Sequence, residues 1–515
     1  MKYLLAHDLG TTGDKATLFS ETGNLVSSSF AAYNTYYPGP GMVEQSAEEW
    51  WVAFCRSTED LIHRTGIDPQ SIFAMSISGQ MMGMVSVDAT GNVLRRPIIW
   101  ADSRSGKQVR KLESLIGLEE IYSITGTRTT PTYQGFKIAW LKDNEPEAYR
   151  RTYKFLQAKD FINMRLCGRF VTDQSDAVMT NLFDINSLSW SSRIIDALGI
   201  DREKLPEIVS STQNLGSLRP DVAQYLGLPR ECRVIAGAGD GCSAAVGAGA
   251  VEKGDAYLHL GSSSWISVIS DNPPQDSLMR IFTGAHAVEG LYFPSGTMQA
   301  AGASYGWIKD MLYHAEEADR WEKNENVFDY MDRILMDTAR HREPILYLPY
   351  LLGERSPVWN SDARGTFIGL SASHRRVDLV RAVIEGVCMN LKWILDTLES
   401  FVTIDELRLT GGGARSKNWR RIIPDVLGKT IRVPDNVEES SSMGAAIIAG
   451  VGSGLFDFSQ TKRFLKDDEI IEPKPERHEA YMDLYGLFKE SYELLKPVYE
   501  GLSELRNDDS EATKI

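Results

Sequence analysis

Short apolar runs joined by small-residue turns occur twice along the chain. Tyr3 to Ala6 and Ala16 to Phe19 flank a turn of glycines and threonines, and this pattern predicts a β-hairpin. The pattern returns at Asp255 to Leu260 and Trp265 to Ile269, around the turn from Gly261 to Ser264. Each hairpin precedes alternating apolar and amphipathic stretches. This repetition predicts two α/β halves with a duplicated architecture.

The stretches between and after the hairpins predict strands that alternate with helices. Ser46, followed by Glu48 and Glu49, has the pattern of a capped helix start, and this helix is expected to end near Gly66. Residues 105–210 are expected to be mainly helical. The other predicted strands are 72–77, 85–87, 97–100, 233–236, 345–349 and 407–409, and the other predicted helices begin near residues 241, 302, 378, 417 and 442.

Four predicted loops combine glycines with polar side chains where a strand ends. They span residues 8–14, 237–241, 261–264 and 410–416. Glycine lets backbone N–H groups approach a ligand, threonine hydroxyls can donate to phosphate oxygens, and a carboxylate can hold a hydrated Mg²⁺. Taken singly, each loop is equally compatible with a polar turn that binds nothing. The small-residue helix from Ser442 is expected to pack closely near the last of these loops.

Length, charge and cysteine content narrow the class of protein. A chain of 515 residues exceeds what one hydrophobic core normally holds, so two domains are expected. The net charge of −15 argues against a nucleic-acid or anionic-membrane surface. Five scattered cysteines are typical of buried thiols in a reducing compartment. The first apolar run is too short for a signal peptide and no stretch suits a membrane span, so we expect a cytoplasmic protein.

In order along the chain, these loops and one further motif resemble the FGGY family of carbohydrate kinases. The most specific match is Gly365 to Leu370, followed after seven residues by Asp378 to Glu385, which fits a family signature at every specified position. A second signature is matched by Lys137 to Asn144, except that Gln134 stands where Pro, Ser or Thr is usual. The resemblance covers about residues 1–500.

The resemblance implies an α/β fold of two actin-like (ribonuclease H-like) domains with a nucleotide and sugar cleft between them. Residues 1–252 would form the sugar and phosphate side, residues 253–500 the nucleotide side, and residues 501–515 a flexible tail. The implied reaction is transfer of the γ-phosphoryl group of ATP to a sugar hydroxyl, with Mg²⁺ as cofactor. Small-molecule sugar and ATP are the expected partners, and a homodimer is one candidate state because dimers are common among enzymes of this size.

The family's functional positions can be carried onto matching residues of this chain. Asp240 corresponds to the catalytic base and Asp8 to the residue that holds hydrated Mg²⁺. The sugar contacts would include Asp240 together with Gln80, Met81, Met82 and Asp102. The nucleotide contacts would be Gly10, Thr11, Thr12, Lys15, Gly261, Ser262, Gly302, Gly306, Gly413, Ala414 and Lys417.

The choice of sugar rests on a shorter pattern. Gln80 to Gly83 is most similar to the Gln-Met-His-Gly of xylulokinases, which makes D-xylulose the first candidate substrate. Met82 replaces the substrate-contacting His, and Ala101 replaces the Asn that usually precedes Asp102. Each replacement removes a side chain that could bond a hydroxyl, which relaxes or shifts substrate choice. Ribulose, erythritol, gluconate and glycerol are the alternative acceptors.

A protein of another class shares part of this pattern. Actin-like and heat-shock-like ATPases, which act as assembly machines, carry the two phosphate hairpins and the adenosine loop. They lack the signature from Gly365 to Glu385. A catalytically idle sugar sensor is a third alternative, but the presence of both Asp8 and Asp240 argues against it.

Overall fold

The computed structural model describes residues 1–316, 326–338, 341–435, 439–465 and 467–512. In these ranges the strands are β1 Tyr3–Leu9, β2 Gly13–Ser20, β3 Leu25–Ala32, β4 Thr35–Gly39, β5 Met42–Gln45, β6 Ile72–Gly79, β7 Val85–Val87, β8 Lys154–Leu156, β9 Val171–Asp173, β10 Phe183–Asp184, β11 Ser189–Trp190, β12 Glu207–Val209, β13 Asn214–Ser217, β14 Arg233–Ile235, β15 Ala238–Gly239, β16 Ala256–Leu260, β17 Ser264–Val268, β18 Phe282–Ala285, β19 Tyr292–Met298, β20 Leu346–Leu348, β21 Thr366–Ile368, β22 Glu406–Thr410, β23 Thr430–Pro434 and β24 Asp467–Ile471.

The same ranges contain the α-helices that alternate with these strands. They are α1 Ala47–Thr65, α2 Gly106–Ile116, α3 Leu118–Thr125, α4 Gln134–Asn144, α5 Pro146–Arg151, α6 Ala158–Cys167, α7 Gln174–Val178, α8 Ser192–Leu198, α9 Pro220–Leu226, α10 Asp240–Gly247, α11 Gly302–Leu312, α12 Val327–Asp337, α13 Arg376–Glu399, α14 Lys417–Leu427, α15 Ser440–Gly452 and α16 Pro475–Ala512. No helix of the described ranges is both long and apolar enough to cross a membrane.

The chain folds as two compact units. The first contains residues 1–253, 269–294 and 439–466, and the second contains residues 254–268, 295–438 and 467–515. Two segments from beyond residue 253, residues 269–294 and 439–466, therefore fold with the N-terminal residues. The expected tail, residues 501–515, has a helical backbone to Ala512, and residues 513–515 lie outside the described part.

Close helix packing explains why α15 belongs to the first unit. A Cβ on Gly444 would lie 1.8 Å from the carbonyl oxygen of Ser243, and a Cβ on Gly247 would lie 1.8 Å from that of Ser440. Only glycines let the backbones of α10 and α15 approach this closely. The predicted close packing is therefore against α10, the helix that begins with Asp240. The sequence pattern had placed it near residues 410–416.

The two units contain sheets in which paired strands follow the same spatial order. In the first unit, β3-β2-β1 form an antiparallel meander, β6 and β14 continue it in parallel, and β13 pairs antiparallel with β14. In the second unit, β19-β17-β16, β22, β23 and β24 repeat this order and these directions. The predicted duplication is confirmed by six strands that match in spatial order and direction. The connectivity differs at one edge, because β13 precedes β14 along the chain whereas β24 follows β23.

Most predicted local elements are present, with one clear exception. Ser46 caps α1 by accepting from the Glu49 amide, and Gly66 ends the helix in the left-handed conformation. The strand predicted at residues 97–100 is wrong, because only Ile98 forms isolated bridges. The carbonyl of Ile99 accepts instead from Asp102 N and from the Lys137 ammonium group, which ends the pairing. All five cysteines are free thiols, and four of them are buried.

Candidate functional site

Asp8 lies near the end of the central strand β1 of the first unit. Its Oδ1 accepts from Ser78 Oγ at 3.0 Å, on the adjacent strand β6. Burial raises the pKa of Asp8 to about 6, and the carboxylates of Asp14 and Glu439 add to this rise, while Ser78 and Lys15 oppose it. A carboxylate at the end of a strand, with other carboxylates nearby, is the kind of oxygen ligand that Mg²⁺ prefers.

The turn after Asp8 is held by side chains from several other elements. Gly10 N donates to Gly13 O at 3.0 Å, which closes the turn. Tyr33 donates to the carbonyl of Gly10. Gln45 Nε2 donates to Thr11 O at 2.7 Å, and Trp100 Nε1 donates to Thr11 Oγ1 at 2.9 Å. These contacts occupy the carbonyls of the turn. Tyr33, Gln45, Ser78 and Trp100 were not predicted from the sequence, because each is distant along the chain from the residue it supports.

Lys15 follows the turn on β2. Its ammonium group pairs with Glu439 at 2.5 Å, at the start of the segment that leads into α15. Both side chains are partly exposed. Contact with a nucleotide phosphate would therefore compete with this ion pair.

Asp240 is the first residue of α10, directly after the short strand β15. Its Oδ1 accepts from Gly241 N at 2.7 Å, and the residue as a whole is exposed. The surrounding protein raises its pKa to about 7 by desolvation, and the negative charge of Asp8 adds to the rise. A carboxyl group with a pKa near neutrality can accept a proton at physiological pH, as a general base must.

The residues of the predicted sugar-contact pattern differ in burial and in contacts. Gln80 is 3% exposed, and its Nε2 donates to Gly10 O at 3.2 Å and to Gln45 Oε1 at 2.9 Å, so it supports the turn. Met81 is buried and its methyl group lies over Gly239, next to Asp240. Met82 is half-buried with φ of 65°, a left-handed conformation that is uncommon for methionine.

Asp102 has no solvent-accessible surface. Arg104 Nε donates to both of its carboxylate oxygens. Arg104 Nη2 donates to Oδ2 at 2.7 Å, and Val43 N donates to the same oxygen at 2.6 Å. A direct sugar contact would have to displace these groups. Asp102 thus fixes the loop that presents Trp100 and the exposed Ala101.

The second unit contains a cavity of about 560 Å³ beside its hairpin turn. Four of the predicted nucleotide positions line it: Gly261, Ser262, Gly302 and Gly413. Gly306, Ala414 and Lys417 are not among its lining residues. Ala414 is fully buried, and Lys417 lies on the exposed surface at the start of α14.

Two glycines of the cavity wall bring backbones together. Gly302 N donates to Gly261 O at 2.9 Å, and a Cβ on Gly302 would lie 2.5 Å from that oxygen. A Cβ on Gly413 would lie 2.5 Å from Leu260 Cγ. Side chains at these positions would push the cavity wall apart.

Three further residues of the cavity wall, Tyr305, Phe328 and Asp332, were not predicted from the sequence, because no glycine motif marks them. Tyr305 stacks on Phe328 with ring centroids 5.5 Å apart, and these rings provide an apolar wall. The carboxylate of Asp332 accepts from Ser416 Oγ at 2.8 Å and from Asn418 Nδ2 at 3.1 Å, which joins α12 to the start of α14. An apolar wall with a few fixed polar groups is typical of a site for a flat heterocycle.

Another polar cluster lies at a turn of the second unit. One ligand atom each from His341, Glu343 and His374 lies within 4.8 Å of the others. His374 Nδ1 accepts from Ser371 N at 2.9 Å, so its Nε2 carries the hydrogen and faces the Glu343 carbonyl at 3.0 Å. Both nitrogens of His374 are therefore engaged in the turn, and we assign the cluster a structural role.

Comparisons with known proteins agree with this geometry. The FGGY family of carbohydrate kinases matches the chain with its N-terminal domain at residues 3–247 and its C-terminal domain at residues 256–453. A xylulose kinase of Staphylococcus epidermidis is 30% identical over 512 residues, covering 98% of this chain and 99% of that protein. A gluconokinase of Bacillus subtilis is 30% identical over 510 residues, covering 98% of each. The crystal structure of a ligand-bound xylulose kinase from Lactobacillus acidophilus has a TM-score of 0.89 at 27% identity, covering 98% of this chain and all of that one.

The fold is thus that of the two-domain sugar kinases with actin-like domains. The chain belongs to the FGGY family of carbohydrate kinases, and it is a phosphotransferase with an alcohol group as acceptor. Kinases of this family use ATP. Family membership favours this activity over the alternative of an actin-like assembly ATPase.

Proposed function

We propose that this protein transfers the γ-phosphoryl group of ATP to a hydroxyl of a small ketose, with D-xylulose as the first candidate and D-xylulose 5-phosphate as the product. The observation that carries the proposal is Asp240, an exposed residue whose carboxyl group has a pKa of about 7, beside Asp8. Phosphoryl transfer depends on positioning and charge neutralisation, with one base to orient the attacking hydroxyl.

The residues of the first unit divide the chemistry between them. Asp240 accepts the proton of the sugar hydroxyl as its oxygen attacks the γ-phosphorus, and ADP leaves from the opposite side. Asp8 is suited to hold Mg²⁺, which when bound neutralises charge on the phosphate oxygens. The turn from Gly10 to Thr12 presents hydroxyl and amide donors to the same phosphates.

The second unit holds the nucleotide in this proposal. The rings of Tyr305 and Phe328 would pack against the adenine base, and the backbones around Gly261 and Gly302 would approach the phosphates. The cavity of about 560 Å³ is within the usual size range for a bound cofactor or nucleotide.

The identity of the sugar is the finer part of the proposal. The sequence from Gln80 to Gly83 and the xylulose kinase relatives support D-xylulose, whereas a gluconokinase of equal identity supports gluconate. Gluconate brings a carboxylate. Two basic side chains near the sugar pattern are already engaged. Lys137, whose pKa is lowered to about 7 by burial, bonds the carbonyls of Met82, Ile99 and Thr132, and Arg104 pairs with Asp102. This arrangement favours a neutral ketose.

The proposal is tested by sugar-stimulated ADP release from D-xylulose, L-xylulose, D-ribulose, L-ribulose, erythritol, glycerol and gluconate. We expect the highest kcat/KM with D-xylulose. Higher turnover of gluconate would overturn the choice of sugar, and no stimulation by any compound at millimolar concentration would overturn the activity. The variant Met82→His provides a second, more specific test. It restores the xylulokinase pattern, and histidine tolerates a left-handed backbone better than most residues. It should raise kcat/KM for D-xylulose and leave that for glycerol unchanged.

A further inference from the structure

A buried ionic cluster lies behind the segment that carries Asp240. The ammonium group of Lys159 is 2.6 Å from Asp160, 3.0 Å from Asp173 and 3.2 Å from Asp176. All four side chains are at most 1% exposed. Burying charged side chains is costly, and apolar side chains could fill the same space without this cost.

The cluster is connected to Asp240 by one serine. Asp173 Oδ2 accepts from Ser175 Oγ at 2.6 Å, and Ser175 Oγ in turn accepts from Gly239 N at 2.9 Å. The single hydroxyl hydrogen of Ser175 is directed to the carboxylate, so its lone pairs face the Gly239 amide. Gly239 is the residue immediately before Asp240.

The main chain of this segment is also held by contacts that do not involve the ionic side chains of the cluster. Asn163 Nδ2 donates to Ala236 O at 2.7 Å, and Gly237 N donates to Ser211 O at 3.0 Å. Gly239 pairs with Gly79 in the sheet. The Ser175 bond is thus the contact closest to Asp240 that depends on a side chain of the cluster.

We propose that Lys159, Asp173 and Ser175 form a positioning relay that fixes the Gly239 amide and, through it, the direction of the Asp240 carboxyl group. The charge of Lys159 orients Asp173, Asp173 orients the Ser175 hydroxyl, and the hydroxyl holds the peptide that leads into α10. None of the three touches substrate. The inference rests on the proposed role of Asp240 as the base and extends it to residues that lie behind the site.

The charge state of the cluster agrees with this role. Burial and the neighbouring carboxylates raise the pKa of Asp176, while the charge of Lys159 opposes this rise. Burial lowers the pKa of Lys159, but the three carboxylates outweigh it and the net pKa is raised, so the ammonium stays charged.

Ser211 offers a matched control within the same cluster. Its Oγ donates to Asp173 Oδ2 at 2.6 Å, the same length and the same acceptor atom as for Ser175. Its hydroxyl makes no bond to Gly239, and its main-chain bond to Gly237 survives substitution by alanine. Comparing Ser175→Ala with Ser211→Ala therefore isolates the Gly239 contact from the general loss of a buried hydroxyl. Removing Lys159 itself would leave three buried acids without their positive partner and would endanger folding. The experiments therefore use the two serine variants.

The first measurement is hydrogen exchange by mass spectrometry on the full-length protein, which needs no substrate. Ser175→Ala should speed exchange in the peptide that spans residues 236–241 at least about tenfold more than Ser211→Ala does, since the buried amide loses its partner. Equal exchange in the two variants would overturn the proposal. This result is independent of the proposed function.

The second measurement is kcat for the best sugar, with ADP binding and thermal unfolding as controls. Ser175→Ala should lower kcat about tenfold or more, because a misplaced base loses in-line geometry, while ADP affinity stays within about twofold. In an Asp240→Asn background, Ser175→Ala should cost nothing further, because the relay acts only through Asp240. Equal losses from the two serine variants, or an added loss in the Asp240→Asn background, would refute the relay while leaving the kinase activity established. An inactive wild-type protein would refute the proposed function, and hydrogen exchange would then decide the relay.

Discussion

The pKa of Asp240 gives the proposed mechanism a quantitative signature in its pH dependence. An ordinary aspartate, with a pKa of 3.8, is ionised throughout the range from pH 6 to pH 8, and a base of that kind gives a flat profile. Desolvation, with a further contribution from the Asp8 carboxylate, raises the pKa of Asp240 to about 7. The base is the ionised form, so activity is present above this pKa and is lost as the pH falls through it.

The size of the effect follows from the ionised fraction. A carboxyl group with a pKa of about 7 is roughly one-tenth ionised at pH 6 and roughly nine-tenths ionised at pH 8. We therefore expect kcat/KM for the sugar to rise about tenfold between these pH values at saturating ATP.

The assay measures ADP directly by chromatography, so that no coupling enzyme adds its own pH dependence. Asp8→Asn serves as the diagnostic variant. It removes one cause of the raised pKa but leaves desolvation, which is the larger cause, so the acidic limb of its residual activity should shift by part of a unit to lower pH. A flat profile from pH 6 to pH 8, or activity that falls as the pH rises, would refute the assignment of Asp240 as the base.

Three further predictions concern the scaffold. Gly444→Ala places a Cβ 1.8 Å from the Ser243 carbonyl oxygen, so it should lower the free energy of unfolding by about 2 kcal/mol or more in denaturant titrations. Gly486→Ala, at an exposed helical position with open space around it, should stabilise the protein slightly. Equal effects of the two changes would contradict the packing account. Gly302→Ala should weaken ADP binding about tenfold by calorimetry, because its Cβ would lie 2.5 Å from the Gly261 carbonyl oxygen, and unchanged affinity would remove this glycine from the site. Trp100→Phe removes the hydrogen bond to Thr11 Oγ1, so it should raise KM for ATP roughly two- to tenfold at nearly constant stability. An unchanged KM would contradict this role of Trp100.

Local patterns in the sequence predicted those features that local chemistry determines. Both hairpins, the capped start of α1 at Ser46 and the repetition of the α/β halves follow from the spacing of apolar residues and from turn chemistry. The acids at Asp8 and Asp240 stand directly at strand ends, where loops carry functional groups. Their places in the molecule could be predicted because their neighbours in sequence are also their neighbours in space.

Other features depend on partners that are distant along the chain. Asp102 was expected to contact sugar, yet its oxygens are occupied by Arg104 and by the amide of Val43, which lies 59 residues away. Asp332 lines the second-unit cavity because Ser416, 84 residues away, holds it. The glycine pair that joins α15 to the first unit is separated by almost 200 residues, and composition alone did not indicate its partner. Such contacts arise from tertiary packing, which a single sequence does not display.

The central claim is that Asp240 is the base in an ATP-dependent sugar kinase. The most direct measurement compares the wild-type protein with Asp240→Asn, a change that keeps the size of the side chain and removes its basicity, by quantifying both sugar phosphate and ADP affinity. The account predicts that sugar phosphate formation falls by about two to four orders of magnitude, while ADP affinity stays within about twofold. Retained sugar phosphorylation in Asp240→Asn would contradict it.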